Sequence, residues 1–214
     1  MNDYGRKADP YRKLAMRYDS RIERLIKPLR VKAMEMFPAR EGMRVLDVGC
    51  GTGSFLDLYH KAGCAVFGID CSPSMLSLAR EKLGERASLH MGDASNMPYT
   101  VNTFDLVIFV LSLHEMPHSA RLSALSEAFR VLKKNGRMLF VDYQYGPLKF
   151  IAGWLEKVVI VYFEMRAGRE HFKNYRNFLR RGGLPGLMSE HKLSVEKMDT
   201  AYNGNIRLYL VSKT

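Results

Sequence analysis

Between residues 44 and 145, short apolar runs alternate with longer stretches that place an apolar residue every three or four positions. The first pattern reads as buried strand and the second as amphipathic helix. Strands are predicted at 45–48, 65–69, 87–91, 104–111 and 137–141, and helices at 53–61, 73–83 and 120–132. Ser72 supplies an N-cap and Pro73 a first-turn residue for the second helix. The third helix is predicted to end on Lys133, Lys134, Asn135 and Gly136, a basic last turn with a glycine stop. Strands that are apolar on both faces suit a parallel sheet covered by helices. The alternation therefore predicts a doubly wound α/β domain that binds ligands at the carboxyl ends of its strands.

The two ends follow other patterns. Residues 10–37 read as helix through Leu14, Ile22, Leu25, Ile26, Leu29, Ala33, Met34 and Phe37, with Pro28 expected to break or kink it. Residues 193–198 and 206–212 are strand-like, and Asn203-Gly204 between them is a turn signal. An antiparallel C-terminal hairpin is expected to close a seven-stranded, mostly parallel sheet. Residues 147–165 are rich in apolar side chains (Phe150, Ile151, Trp154, Leu155) but interrupted by Lys149, Glu156 and Lys157, so no membrane span is expected. The segment reads as a helix packed on the sheet, a lid over an apolar pocket or an interfacial helix. A second helix is expected at 170–181, ending at Gly182-Gly183. The predicted organisation is one domain over 1–214: a helical cap at 1–43, a ligand-binding core at 44–145, a helical insertion at 146–192 and the hairpin at 193–214.

Composition changes this picture little. A chain of 214 residues accommodates one substantial α/β core. The polar N-terminus carries no secretory signal pattern, and Cys50, Cys64 and Cys71 show neither disulfide nor zinc-ligand spacing. A cytoplasmic protein with no metal is the expectation. The formal charge of +11 is uneven: residues 1–44 hold twelve basic and six acidic residues, 45–145 nine and ten, and 146–193 nine and four. The basic flanks are either a solubilising surface or a face for an anionic partner.

The strongest chemical signal is Val45-Leu-Asp47-Val-Gly49-Cys50-Gly51-Thr-Gly53. A strand with one acid runs into a glycine turn, and a helix follows directly. Such a turn lets a ligand lie on bare backbone near a helix N-terminus. The dinucleotide fingerprint would need a glycine at position 54, which is serine. Gly68-Ile69-Asp70 places an acid at the end of the second strand, where a carboxylate can accept from ribose hydroxyls. Asp70-Cys71-Ser72-Pro-Ser-Met75 and Gly92-Asp93-Ala94-Ser-Asn-Met97-Pro98-Tyr99 follow in order.

These motifs, with Phe104-Asp105-Leu-Val-Ile-Phe-Val and Asn135-Gly136-Arg137-Met-Leu-Phe-Val, resemble those of the class I S-adenosylmethionine-dependent methyltransferases. Ala15-Met16-Arg17-Tyr18-Asp19 resembles a segment of the branch that contains the ubiquinone- and menaquinone-biosynthesis enzymes. The resemblance implies a Rossmann-like fold and S-adenosylmethionine as cofactor. It implies that the Gly49–Gly53 loop with Cys50 and Asp47 holds the cofactor, that Asp70 with Cys71 meets the ribose, and that Met75, Asp93 and Ala94 meet the adenine. Leu111 ends the fourth strand beside it, and Tyr18 closes over it.

Methyl transfer from a sulfonium is an in-line displacement in which positioning does most of the work. A base is needed where the acceptor arrives protonated. His114, in Leu113-His114-Glu115-Met116-Pro117-His118 after the fourth strand, is the candidate, with Glu115 as its orienting group. Tyr143, Tyr145 and His171 are secondary candidates on the acceptor side. The acceptor is expected to be a small, apolar, quinone- or lipid-like molecule, with peripheral membrane contact through 147–165. RNA or protein methylation on the basic surface is one alternative, and a catalytically silent cofactor-binding protein is another. Nucleic acid is the less expected partner, since no RNA-binding module and no N-P-P-Y-type tetrapeptide is present.

Overall fold

The computed structural model describes residues 26–213. Helix α1 (26–36) buries Ile26, Leu29, Ala33 and Met36, a single stripe at helical spacing. It contains Pro28 within its first described turn. The part of this helix predicted before residue 26, and Tyr18 with it, lies outside the described residues.

Then come β1 (Arg44–Val48), α2 (Ser54–Lys61), β2 (Ala65–Asp70), α3 (Pro73–Leu83), β3 (Ala87–Met91) and β4 (Phe104–Val110). They are followed by α4 (His118–Val131), β5 (Leu132–Tyr143), α5 (Phe150–Arg166), α6 (Arg169–Arg180), α7 (Gly183–Glu190), β6 (Ser194–Ala201) and β7 (Ile206–Ser212). The seven strands form one sheet in the order β3-β2-β1-β4-β5-β7-β6. All neighbours are parallel except β7, which runs antiparallel to both β5 and β6. Strand order reverses between β1 and β4, and a crevice opens beyond the carboxyl ends of such a pair. Val45, Leu46, Leu106, Val107, Ile108 and Phe109 are fully buried, as expected of central strands covered on both faces.

α3 starts as predicted: the Ser72 hydroxyl accepts from Met75 N–H at 3.2 Å and Pro73 opens the helix. The end of α4 does not. The chain turns extended at Leu132 (φ −74°, ψ 135°), and Lys133–Gly136 belong to β5 rather than to a basic last turn. Gly136 is there for close approach, since a Cβ would lie 2.7 Å from Leu132 Cδ1 and 3.1 Å from the Asp105 carbonyl. Gly182, at φ +89°, precedes α7, an element the sequence pattern did not separate from the segment before it.

α5 corrects the reading of residues 147–165 as a helix whose apolar face packs on the sheet. Its buried residues are Gly153 and Glu164. Asn205 Nδ2 donates to the Gly153 carbonyl at 2.9 Å, Asn203 Nδ2 to Glu156 at 2.8 Å and Lys157 Nζ to the Gln144 carbonyl at 3.2 Å. Phe150, Ile151, Trp154, Leu155, Val158 and Tyr162 point to solvent, with Phe150 82% and Trp154 66% exposed. The helix is attached mainly through polar groups, with Ile160 and Val161 half-buried on the core, and shows most of its large apolar side chains outward.

Candidate active site

The β1–α2 turn is built on three left-handed glycines: Gly49 (φ +76°), Gly51 (+52°) and Gly53 (+72°). Two of them are also pressed by neighbours. A Cβ on Gly49 would stand 2.6 Å from Ser112 Cβ, and one on Gly53 would stand 2.7 Å from Leu83 Cδ1. A Cβ on Gly51 would meet nothing within 4 Å, so its backbone faces open space. Gly49 N–H and Cys50 N–H both reach the Ile69 carbonyl, at 2.8 and 3.2 Å, which ties the loop to the end of β2. The Cys50 side chain is buried toward Gly68, where a Cβ would lie 2.7 Å from its sulfur; Cys50 brings backbone to the loop rather than its thiol.

Asp70 is fixed at the same place. One carboxylate oxygen accepts from Gly51 N–H and the other from Ser72 N–H, both at 2.8 Å. Gly92 N–H donates to the Asp70 carbonyl at 3.0 Å, and Asp93 accepts from Ser95 N–H at 2.8 Å in the next turn. Ala94 packs half-buried on the core, while Met75 is buried at the start of α3 and Cys71 is exposed. Leu111 closes the rim with φ +51°, strained for a non-glycine residue, and donates from its N–H to the Val141 carbonyl at 2.8 Å.

Asp47 is the unsettled group of this rim. It is buried, and its Oδ1 has no hydrogen-bond partner among the described residues. Burial pushes its carboxyl up to about 7, against the pull of Arg30 and with a further push from Asp70. A ligand bringing a cationic group would relieve that cost. The open backbone at Gly51, the fixed Asp70 and the orphaned Asp47 oxygen fit S-adenosylmethionine, whose amino-acid end carries an ammonium and whose ribose offers two hydroxyls. Bound there, it supplies a methyl group on a sulfonium.

A second constellation follows β4. Leu113–Glu115 form a short 3₁₀ turn that buries His114. His114 Nδ1 lies 2.8 Å from Asp142 Oδ1, and its Nε2 lies 3.5 Å from Glu164 Oε2 and 3.9 Å from Glu115 Oε1. Asp142, fully buried at the end of β5, also accepts from the N–H groups of Leu113, His114 and Tyr143. Glu164 accepts from the Tyr143 hydroxyl at 3.0 Å and pairs with His171 Nε2 at 2.5 Å. Arg121, also buried, clamps the turn by donating to the Leu113 and Met116 carbonyls, both at 2.9 Å.

Burial alone would lower His114, but Asp142, Glu164 and Glu115 push it up to about 9, so it holds a proton at neutral pH. A free neutral base at this position is therefore not what the fold provides. The orienting acid is Asp142 rather than Glu115. Of the secondary candidates, Tyr143 and His171 join the cluster, whereas Tyr145 is 75% exposed and takes no part. Asp142, Glu164 and Arg121 were missed from the sequence. Asp142 had a readable signal, an acid at the carboxyl end of an apolar strand, as at Asp47 and Asp70. Glu164 had none, because it looks like a surface residue on an apolar helix.

The fold, the glycine loop and the strand-end acids resemble those of class I S-adenosylmethionine-dependent methyltransferase domains. Residues 45–136 match a family model described as a methyltransferase domain. The chain is 34% identical over 142 residues to a demethylmenaquinone methyltransferase of Staphylococcus aureus, covering 62% of this chain and 58% of that protein. It is 31% identical over 162 residues to the methyltransferase GfsG of Streptomyces halstedii, covering 70% of this chain and 55% of that one. The chain thus spans about half the length of the curated relatives it matches. Among solved structures, the PH0226 protein of Pyrococcus horikoshii superposes over the whole of both chains with a TM-score of 0.69 at 21% identity. A SAM-dependent methyltransferase of Aquifex aeolicus does so over 97% of this chain and all of its own, with a TM-score of 0.66 at 19% identity.

Proposed function

We propose that the protein transfers the methyl group of S-adenosylmethionine to a small, apolar, quinone- or lipid-like acceptor, which it meets at a membrane surface. The observation that carries this reading is the orientation of α5. A helix held by Gly153, Glu156, Lys157 and Glu164, with Trp154, Leu155 and Tyr162 outward, leaves several large apolar side chains exposed on one element, a mark of an interaction surface. Beside it, α6 carries Arg169, Lys173, Arg176 and Arg180, all exposed and spaced as one helical stripe. An apolar face with basic neighbours suits an anionic lipid surface. The similarity to demethylmenaquinone methyltransferases supports an acceptor of the same character.

In this reading Asp70 and the glycine loop hold the donor, and the acceptor enters between the loop and His114. Ser112, whose side chain stands against Gly49 and whose hydroxyl donates to the Val48 carbonyl at 2.9 Å, links the two halves of the site. The His114–Asp142–Glu164–His171 cluster orients the acceptor's polar group, so that alignment of nucleophile, methyl and sulfur supplies most of the rate. The test is incubation with methyl-labelled S-adenosylmethionine and two extract fractions, isoprenoid and lipid in one, RNA and protein in the other. Label in a single apolar product identifies the acceptor. Label confined to RNA or protein refutes this reading.

A further inference from the structure

We infer that His114, Glu115 and His171 form a binding site for one divalent transition-metal ion at the acceptor side of the cleft. One donor atom from each of the three lies within 4.8 Å of the other two, and Glu164 Oε2 stands between the imidazoles, 3.5 Å from His114 Nε2 and 2.5 Å from His171 Nε2. Donors bound to such an ion at about 2.0–2.2 Å sit roughly 3–4 Å apart, so small side-chain movements complete the set. Two imidazoles with carboxylates suit zinc, iron, cobalt or manganese rather than calcium or magnesium.

Three further observations point the same way. His114 gives its Nδ1 to Asp142 at 2.8 Å, which leaves Nε2 directed at the cluster and fixes the ring, the arrangement typical of a metal-bound histidine. The donor set is also of the right chemistry. Glu115 and Glu164 bring carboxylates to the centre, while Asp142 is faced by the buried Arg121. Finally, Tyr175 stands edge-on to His114, ring centres 6.1 Å apart, and its buried hydroxyl has no hydrogen-bond partner among the described residues. A water on the ion is a suitable partner for it. The centre is reachable, since the Glu115 side chain is 34% exposed.

This departs from the expectation of no metal, which rested on cysteine spacing alone. It also does not depend on which acceptor is methylated. An ion there would draw an acceptor oxygen into place and favour its deprotonated form.

The test uses the full chain, stripped with chelator and titrated with Co²⁺ under absorbance and with Zn²⁺ by calorimetry. Expected are saturable one-to-one binding, visible d–d bands without a thiolate charge-transfer band, and a rise in unfolding temperature with Zn²⁺. His171→Gln and Glu115→Gln, both at partly exposed positions, should each weaken binding by more than about tenfold while retaining the wild-type far-UV spectrum. Absence of saturable binding by the wild-type protein overturns the inference, because the cluster is then held by its own hydrogen bonds without metal. Binding unchanged in both variants, or a thiolate band, overturns it equally, because the ion then sits elsewhere.

Discussion

His114 and Asp142 are joined twice: the imidazole Nδ1 meets one carboxylate oxygen at 2.8 Å, and the His114 backbone N–H meets the other at 3.2 Å. One buried acid on β5 thus fixes both the ring and the turn that carries it, across the β4–β5 pair. Asp142→Asn keeps the size and removes the charge. The protein should lose about 2–4 kcal/mol of stability in urea unfolding. Methyl transfer should fall about a hundredfold through a misplaced turn. Wild-type turnover in this variant would remove the pair from the mechanism.

Asp70 anchors the loop through Gly51 and Ser72, and in the proposed reading it also meets the ribose of the cofactor. Asp70→Ala should weaken S-adenosylmethionine and S-adenosylhomocysteine alike by more than about tenfold in calorimetry, the loss of one or more charge-assisted hydrogen bonds. Unchanged affinity for either would rule out the ribose contact.

Gly49 and Gly51 separate packing from binding. Gly49→Ala drives a methyl into Ser112 and should cost about 2–4 kcal/mol of stability. Gly51→Ala meets no protein atom, so about 1–2 kcal/mol for the left-handed backbone is the whole structural cost. Its cofactor affinity should nevertheless drop, because the new methyl occupies the face where the ligand lies. Thermal unfolding and calorimetry on the two variants measure both effects.

Asp47 sets a pH dependence with a definite sign. Its carboxyl is raised from the ordinary 3.8 to about 7, so between those values the folded protein binds more protons than the unfolded chain. Its contribution to stability is complete below about pH 4, declines as pH rises toward 7 and is flat above, a difference of roughly 4 kcal/mol at most. Asp47→Asn should remove that slope from a series of unfolding temperatures taken between pH 4 and 8. Identical slopes in the two proteins would show that another group is responsible.

The outward face of α5 should bind anionic vesicles at low salt and release as ionic strength rises. Trp154→Ser should weaken co-sedimentation by about tenfold or more, the worth of one buried aromatic side chain. No sedimentation of the wild-type protein at low salt would favour a lid over a membrane contact.

No helix among the described residues is long and apolar enough to cross a membrane, as the charges within 147–165 implied. β1 and β4 were legible because burial on both faces leaves continuous apolar runs, and α3 because Ser72-Pro73 is a local start signal. The glycine loop and Asp70 were legible for a similar reason: backbone geometry and a strand-end acid depend on their immediate neighbours. α4 ends within one residue of the predicted stop, but Lys133–Gly136 form no helix turn: Leu132 pairs with Phe104 and Arg137 with Leu106 and Ser212, which draws the segment between them into β5.

By itself the sequence determined the alternating β/α core and the bare-backbone turn at Gly49–Gly53, since those follow from contacts within a few residues. Tertiary structure alone decided that His114, fifty residues before Glu164 on α5 and twenty-eight before Asp142 on β5, lies among three carboxylates. It also decided that α5 turns most of its large apolar side chains outward, because the partners that hold its polar groups, Asn203, Asn205 and Gln144, come from other parts of the chain. Charge and burial at such places are sums over long-range neighbours, and no local window contains them.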